Sequence, residues 1–337
     1  MKRKTGKGKK VFLFLFILIL IFGLFDICRT EINAKKIPHS FASVNNAREI
    51  LLSNTEYYEK YSQNDIDFRM KKSGATIDEF MNASADLIKK FSLFEKLSID
   101  HRISKMYRTL KKNDLILPKI DEIVFVKMKM ELEGGCSGYT QGTKIYLDST
   151  LVTTYSLLDL VFGNPDYMDE LLWHEMFHCI TRCNPDFRTK MYSLINFMVV
   201  NSDYEIPSCL QNKILTNPDV EHHNSYATFQ IDGQKIDCFV AWITTKDFAE
   251  VNSGWNSCEA VALIPIDGTD TYYLSDQASN FDEIFGTNTP YVIDPEECLA
   301  DNFAYAMLYG IKGKNAQGYP NPEIIQGILD VLNRNSK

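Results

Sequence analysis

The chain has 337 residues, 45% of them hydrophobic, enough apolar side chain for a sizeable buried core, and this excludes disorder as its general state. Its 44 acids outnumber 36 bases, and six of those bases (Lys2, Arg3, Lys4, Lys7, Lys9, Lys10) crowd into the first ten residues. The remainder therefore sets 30 bases against 44 acids, a formal charge of −14, and such an acidic body lacks the basic footprint that nucleic acid requires.

After the basic residues 1–10, Val11 to Phe25 run without a polar side chain. At about 1.5 Å per residue, fifteen residues span roughly 22 Å, short of a bilayer core of roughly 30 Å, so length alone fits a signal-peptide core or an anchor. No small-x-small cleavage site follows closely, no good lipobox precedes Cys28, and Ile32-Asn33-Ala34 is late and poor. The expectation is a cytoplasmic basic tail (1–10) and an uncleaved signal anchor (11–28), with the rest of the chain outside a cell membrane that it spans once. Cleavage of that segment would make the protein secreted. Of the eight cysteines, Cys136, Cys179, Cys183, Cys209, Cys238, Cys258 and Cys298 fall beyond the anchor. Their wide spacing matches no paired-cysteine zinc pattern, and both disulfides and buried free thiols remain open.

Residues 29–120 read as a linker and a helical region, with Phe80, Ala83, Ala85, Leu87, Ile88 and Phe91 at helical spacing. From Ile123 the period becomes two. Val124, Val126, Met128, Met130 and Leu132 share one face, and Lys127, Lys129, Glu131 and Glu133 the other, predicting a half-buried strand. The glycine-rich loop Gly134–Gly138 then leads to a second strand, Lys144–Asp148. A helix is expected to open near Asn164-Pro165-Asp166 and run to about Arg182. Between Asn184 and Pro290 the pattern is mixed, with a helix near Lys190–Val200 and strand-like runs at Ala227–Ile231, Cys238–Thr244, Ala260–Ile266 and Tyr272–Leu274. Asp294-Pro295 opens a helix to about Tyr309, and Pro322 opens a closing helix.

Within the helix that ends near Arg182, His174-Glu175-Met176-Phe177-His178 forms H-E-x-x-H. Four residues are slightly more than one turn, so both imidazoles face the same side and can share a zinc ion, while Glu175 is placed to take a proton from water. A catalytic zinc needs a third protein ligand, and the sequence after His178 lacks the Gly and third His of the metzincin extension. Glu297, 119 positions further on, is the best candidate. It lies in the first turn of the Asp294-capped helix, with Asp301 one turn later as a carboxylate partner for a ligand histidine. Glu205, Glu221 and Glu259 lack such a carboxylate, and Glu296 would place Ala300 in the position of Asp301.

H-E-x-x-H followed by E-x-x-x-D on a later helix resembles the gluzincin metallopeptidases, the group that includes thermolysin. The resemblance implies His174, His178 and Glu297 as metal ligands, Glu175 as general base, Asp301 as the carboxylate behind a ligand histidine, and Zn2+ as cofactor. It also implies an α+β zincin-like domain (121–312) with a small twisted sheet, an active-site helix and a helical C-terminal lobe. An insert (184–290) would interrupt this domain, and a C-terminal helix (313–337) would follow it. Lys144–Asp148 is similar to the zincin edge strand that binds extended peptide. For an oxyanion donor, the loop Asn217–Tyr226 offers His223 and Tyr226 as candidates, and the ligand helix offers Tyr305. The expected activity is hydrolysis of extracytoplasmic proteins or peptides. A non-catalytic surface binding module that keeps the fold is the alternative, and the motif also admits non-peptide amides as substrates.

Overall fold

The computed structural model describes residues 29–159, 167–251 and 253–333. The apolar run Val11–Phe25 and the expected helix start at Asn164–Asp166 lie outside them. Among the described residues no helix is long and apolar enough to cross a membrane.

Helical residues 29–34 (α1) lead to β1 (His39–Phe41), then α2 (Val44–Ser53), α3 (Thr55–Tyr58), α4 (Gln63–Met70), α5 (Ile77–Asp86), β2 (Ile88–Lys89) and the long α6 (Leu93–Lys112). Ser43, Ser62, Thr76 and Ser92 cap α2, α4, α5 and α6 by accepting an amide of the first turn, and Glu79 and Glu95 close two of these caps as capping boxes. Next come β3 (Ile123–Met128), β4 (Gly138–Gln141), β5 (Lys144–Asp148), α7 (Ser149–Asp159), α8 (Tyr167–Cys183) and α9 (Pro185–Ser193). The insert holds β6 (Met198–Val199), β7 (Ser225–Ile231), β8 (Gln234–Thr244), α10 (Phe248–Val251), β9 (Glu259–Pro265), β10 (Tyr273–Leu274) and α11 (Phe281–Phe285). The chain finishes with α12 (Pro295–Tyr309) and α13 (Pro322–Leu332).

Helix and strand segregate into an α+β arrangement around two sheets. The first runs β1-β3-β5-β4, with β1, β3 and β5 parallel, β4 antiparallel to β5, and β2 paired to the end of β3. The second, β10-β9-β8-β7-β6, is antiparallel throughout. Because β1 and β2 both pair with β3, the region expected to be a helical preamble contributes two short strands to the first sheet.

Four expectations need correction. Lys144–Asp148 is not the edge strand. The end of the glycine-rich loop is itself β4, which folds back at Gly142 and takes the edge position, leaving β5 internal. The strand from Ile123 stops at Met128 and is covered on both faces: Ile123 and Phe125 belong to one core, Val126 and Met128 to another. Lys127 is therefore buried, its ammonium 2.6 Å from Glu95 on α6. The helix placed near Lys190–Val200 is α9, which starts earlier on Pro185 and ends before Asn196, a residue with φ 61°.

Helices α8 and α12 pack face to face. Ala300 and Ala304 are fully buried between them, and Phe303 lies against Trp173 and Phe177 with ring centroids 5.9 and 5.3 Å apart. Small residues at the crossing let the backbones approach, and each large apolar side chain buried there contributes about 1.5–3 kcal/mol. All seven cysteines of the described residues are free thiols.

Candidate metal centre

Helix α8 presents His174 and His178 one turn apart, with their ring centroids 4.9 Å apart. Asp294 caps α12 by accepting the Glu296 amide at 2.8 Å, and Pro295 fits the first helical position, so Glu297 is delivered from the first turn. Its Oε2 lies 3.0 Å from His174 Nε2 and 3.7 Å from His178 Nε2, and the three donor atoms stand within 4.8 Å of one another. All three side chains are buried.

The outer ring nitrogens are held by carboxylates. His174 Nδ1 lies 2.8 Å from Asp301 Oδ1, and Asp301 in turn accepts from Thr289. His178 Nδ1 lies 3.2 Å from Glu296 Oε1, and Glu296 also accepts from Thr181 and Tyr192 at 2.5 and 2.6 Å. A carboxylate accepts an N–H, so each Nδ1 carries a proton; His178 Nε2 turns its lone pair to the centre, while His174 Nε2 donates a second proton to Glu297, one that a bound cation would displace. Among the described residues His178 Nε2 is buried without a hydrogen-bond partner. Such an atom costs about 1–3 kcal/mol, and a cation at the centre would satisfy it. Two imidazoles and a carboxylate are a donor set suited to zinc, so the residues present fit the ion.

The charges follow from the packing. Burial opposes ionisation of Glu297, but the His174 hydrogen bond, the neighbouring imidazoles and Asn217 outweigh it and bring its pKa down to about 2. Burial likewise opposes protonation of His174, yet Asp301 and Glu297 hold its pKa well above the ordinary imidazole range in the metal-free site. Glu175 moves the other way: burial raises its pKa, and His174, His178 and the Thr140 hydrogen bond offset this only in part. Its Oε2 accepts from Thr140 Oγ1 at 2.7 Å. A glycine at position 138 makes room for it, since a Cβ there would stand 3.1 Å from Glu175 Oε1 and 3.0 Å from the Tyr146 carbonyl oxygen.

The insert reaches into this centre. Asn217 donates to Glu297 Oε1 at 2.5 Å, and Asp219 accepts the Thr140 amide of β4 at 2.6 Å with its Oδ1 3.9 Å from His178 Nε2. Asp219, Glu175 and His178 thus form a second buried group of possible ligand atoms within 4.8 Å. Burial, with the charges of Glu175 and Glu297, raises the Asp219 pKa well above the ordinary aspartate range. Glu221 accepts the Gly142 amide at 2.8 Å and pairs with Arg182 at 3.0 Å.

Of the residues expected at the site, His174, Glu175, His178, Glu297 and Asp301 come together. The loop residues offered as oxyanion donors, His223 and Tyr226, have other surroundings. His223 lies against Phe239, its Nδ1 buried without a partner, and Tyr226 meets the Met198 sulfur at 3.6 Å. The Tyr305 hydroxyl bonds to Thr289, which donates to Asp301. Tyr291 is the hydroxyl that reaches the donor set, 3.3 Å from Glu297 Oε1, with its ring 6.2 Å from that of His174. Sequence reasoning missed Tyr291, Asn217, Asp219 and Thr140, for which no motif position speaks, and treated Glu296 only as a rival of Glu297. Comparisons with family models, curated proteins and solved structures return no match.

Proposed function

We propose that the chain is a zinc-dependent peptidase of the gluzincin kind, held at the outer face of a membrane by Val11–Phe25. The observation that carries this reading is the convergence of His174, His178 and Glu297 from two helices on one point, with the partnerless lone pair of His178 aimed at it and a buried carboxylate, Glu175, beside it. When bound, zinc supplies a Lewis acid that polarises a carbonyl and acidifies water.

The chain's own groups supply the rest. Asp301 and Glu296 fix both imidazole tautomers. Glu175, steadied by Thr140, takes a proton from water, and its raised pKa suits it to return that proton to the leaving amine. Tyr291 stands where a hydroxyl can donate to the developing oxyanion. The outer edge of β4 is the strand along which an extended peptide would pair.

The test uses the full chain and the Glu175→Gln and His178→Ala variants, with metal content measured by mass spectrometry and cleavage on a broad peptide library. Glu175→Gln should keep its zinc and lose about 10²–10⁴ in kcat, and His178→Ala should lose metal and cleavage together. A parent that holds zinc and cleaves nothing favours the binding module, and a parent without zinc sinks the metal reading.

A further inference from the structure

Of the ten large hydrophobic side chains exposed among the described residues, Phe94 and Leu97 line one groove, and Ile32, Leu93, Leu157 and Leu158 follow or precede its lining residues in the chain. Leu93 is 74% exposed, Ile32 63% and Leu157 58%. This groove, of about 900 Å³, is walled by Thr30 and Ala34 of α1, Phe41 of β1, Phe94 and Leu97 of α6, and Ser156 of α7. Exposed apolar residues scattered singly need no explanation, whereas a contiguous group marks an interaction surface.

From this clustering we infer that the groove formed by α1, the start of α6 and the end of α7 rests on the bilayer surface, with Leu93, Leu97 and Leu157 in the interfacial layer. The occupant follows from where the described chain begins. Phe25 ends the apolar run and Thr30 is already in the groove wall. Five residue steps reach at most about 18 Å, so a membrane-embedded Val11–Phe25 holds this face within that distance of its exit from the bilayer. Apolar side chains of this kind, set on helix ends beside a tether, insert shallowly at the boundary between headgroups and acyl chains. The inference rests on the anchored reading above, and the experiment separates the two.

The full chain and its Leu97→Trp and Leu157→Trp variants are reconstituted in phosphatidylcholine vesicles whose lipids are brominated high on the acyl chain. Lys235→Trp, on the second sheet, serves as control. All three positions are on the surface, where substitution usually changes stability by no more than about 0.5 kcal/mol. The added emission at positions 97 and 157 should be largely quenched, and that at 235 retained. If the chain does not float with vesicles, the anchored reading fails and the docking falls with it. If it floats and neither 97 nor 157 is quenched, the anchor stands and the docking is overturned. Blue-shifted, unquenched emission at 97 would mean that Val11–Phe25 itself covers the groove.

Discussion

Gly138→Ala tests whether the position of Glu175 matters for chemistry, independently of metal binding. The new Cβ would meet the Tyr146 carbonyl at 3.0 Å and Glu175 Oε1 at 3.1 Å, where ordinary contact begins at 3.4 Å. The carbonyl belongs to β5, clamped between β3 and β4, so the relief must come from β4 moving outwards and Glu175 swinging away, each by about 0.3–0.4 Å. Thr140, which holds Glu175, rides on the same strand. A misplacement of about 1 Å can cost about 10²-fold in rate, so a shift of about 0.4 Å should cost about five- to tenfold in kcat/KM. Overpacking should also cost about 1–3 kcal/mol of stability. The ligands are untouched, so zinc content should equal that of the parent. Gly233→Ala is the control for stability alone: Gly233 has φ +76° and open space around its Cα, and alanine there costs about 1–2 kcal/mol in a hairpin turn of the insert. Steady-state cleavage, metal analysis and denaturant melts on both variants decide the matter. Unchanged kcat/KM in Gly138→Ala, or a loss of zinc, refutes the reasoning.

Glu296→Gln replaces the charged acceptor behind His178 with a neutral amide and should weaken zinc binding about 10–100-fold in competitive chelator titrations, with the fold retained. Tyr291→Phe should keep its zinc and lose about 10²–10³ in kcat if the hydroxyl serves the oxyanion; a change in zinc affinity alone would assign it to the ligand shell. His223 should contribute to the acid limb of the stability profile. Burial, with a smaller contribution from Lys60, lowers its pKa from 6.5 to about 4, so between those values the unfolded chain binds a proton that the folded chain refuses. The His223 contribution is then full above pH 6.5 and falls by about 2–3 kcal/mol as the pH drops to 4. Denaturant melts across that range should show this drop as a difference between the parent and His223→Gln, since Glu133, raised to about 7 by burial, acts in the opposite sense in both. Ala304→Leu forces volume between α8 and α12 and should cost about 1–3 kcal/mol in thermal melts, with weaker zinc binding as the two ligand helices part.

The centre was legible where a local rule fixes geometry. Helical periodicity places His174 and His178 on one side, and the Asp294-Pro295 start with its four-residue carboxylate spacing singles out Glu297 and Asp301. Likewise, β7, β8 and β9 cover the strand-like runs of the sequence, with β8 starting earlier, at Gln234. What stayed hidden depends on contacts distant in sequence. Nothing local tells that Lys127 faces a buried Glu95, since this requires α6 and α7 to cover that face of the sheet. The strand β4 is rich in the loop signals of its neighbours, and only pairing with β5 makes it extended. Asn217 and Asp219 reach the centre because Arg182 and Lys60 hold Pro218 and Glu221 by their carbonyls, an arrangement between residues up to 161 positions apart. His223 and Tyr226 were chosen for residue type in a loop, and contacts with Phe239 and Met198 gave them other surroundings.

The side chains of Asp219 and Glu221 satisfy two outward amides, at Thr140 on β4 and at Gly142 in the turn that follows. Any incoming main chain that pairs along this edge must evict a built-in competitor already tethered at the same address. Observed affinity for a peptide will then be its intrinsic affinity multiplied by the fraction of molecules whose rim is vacant.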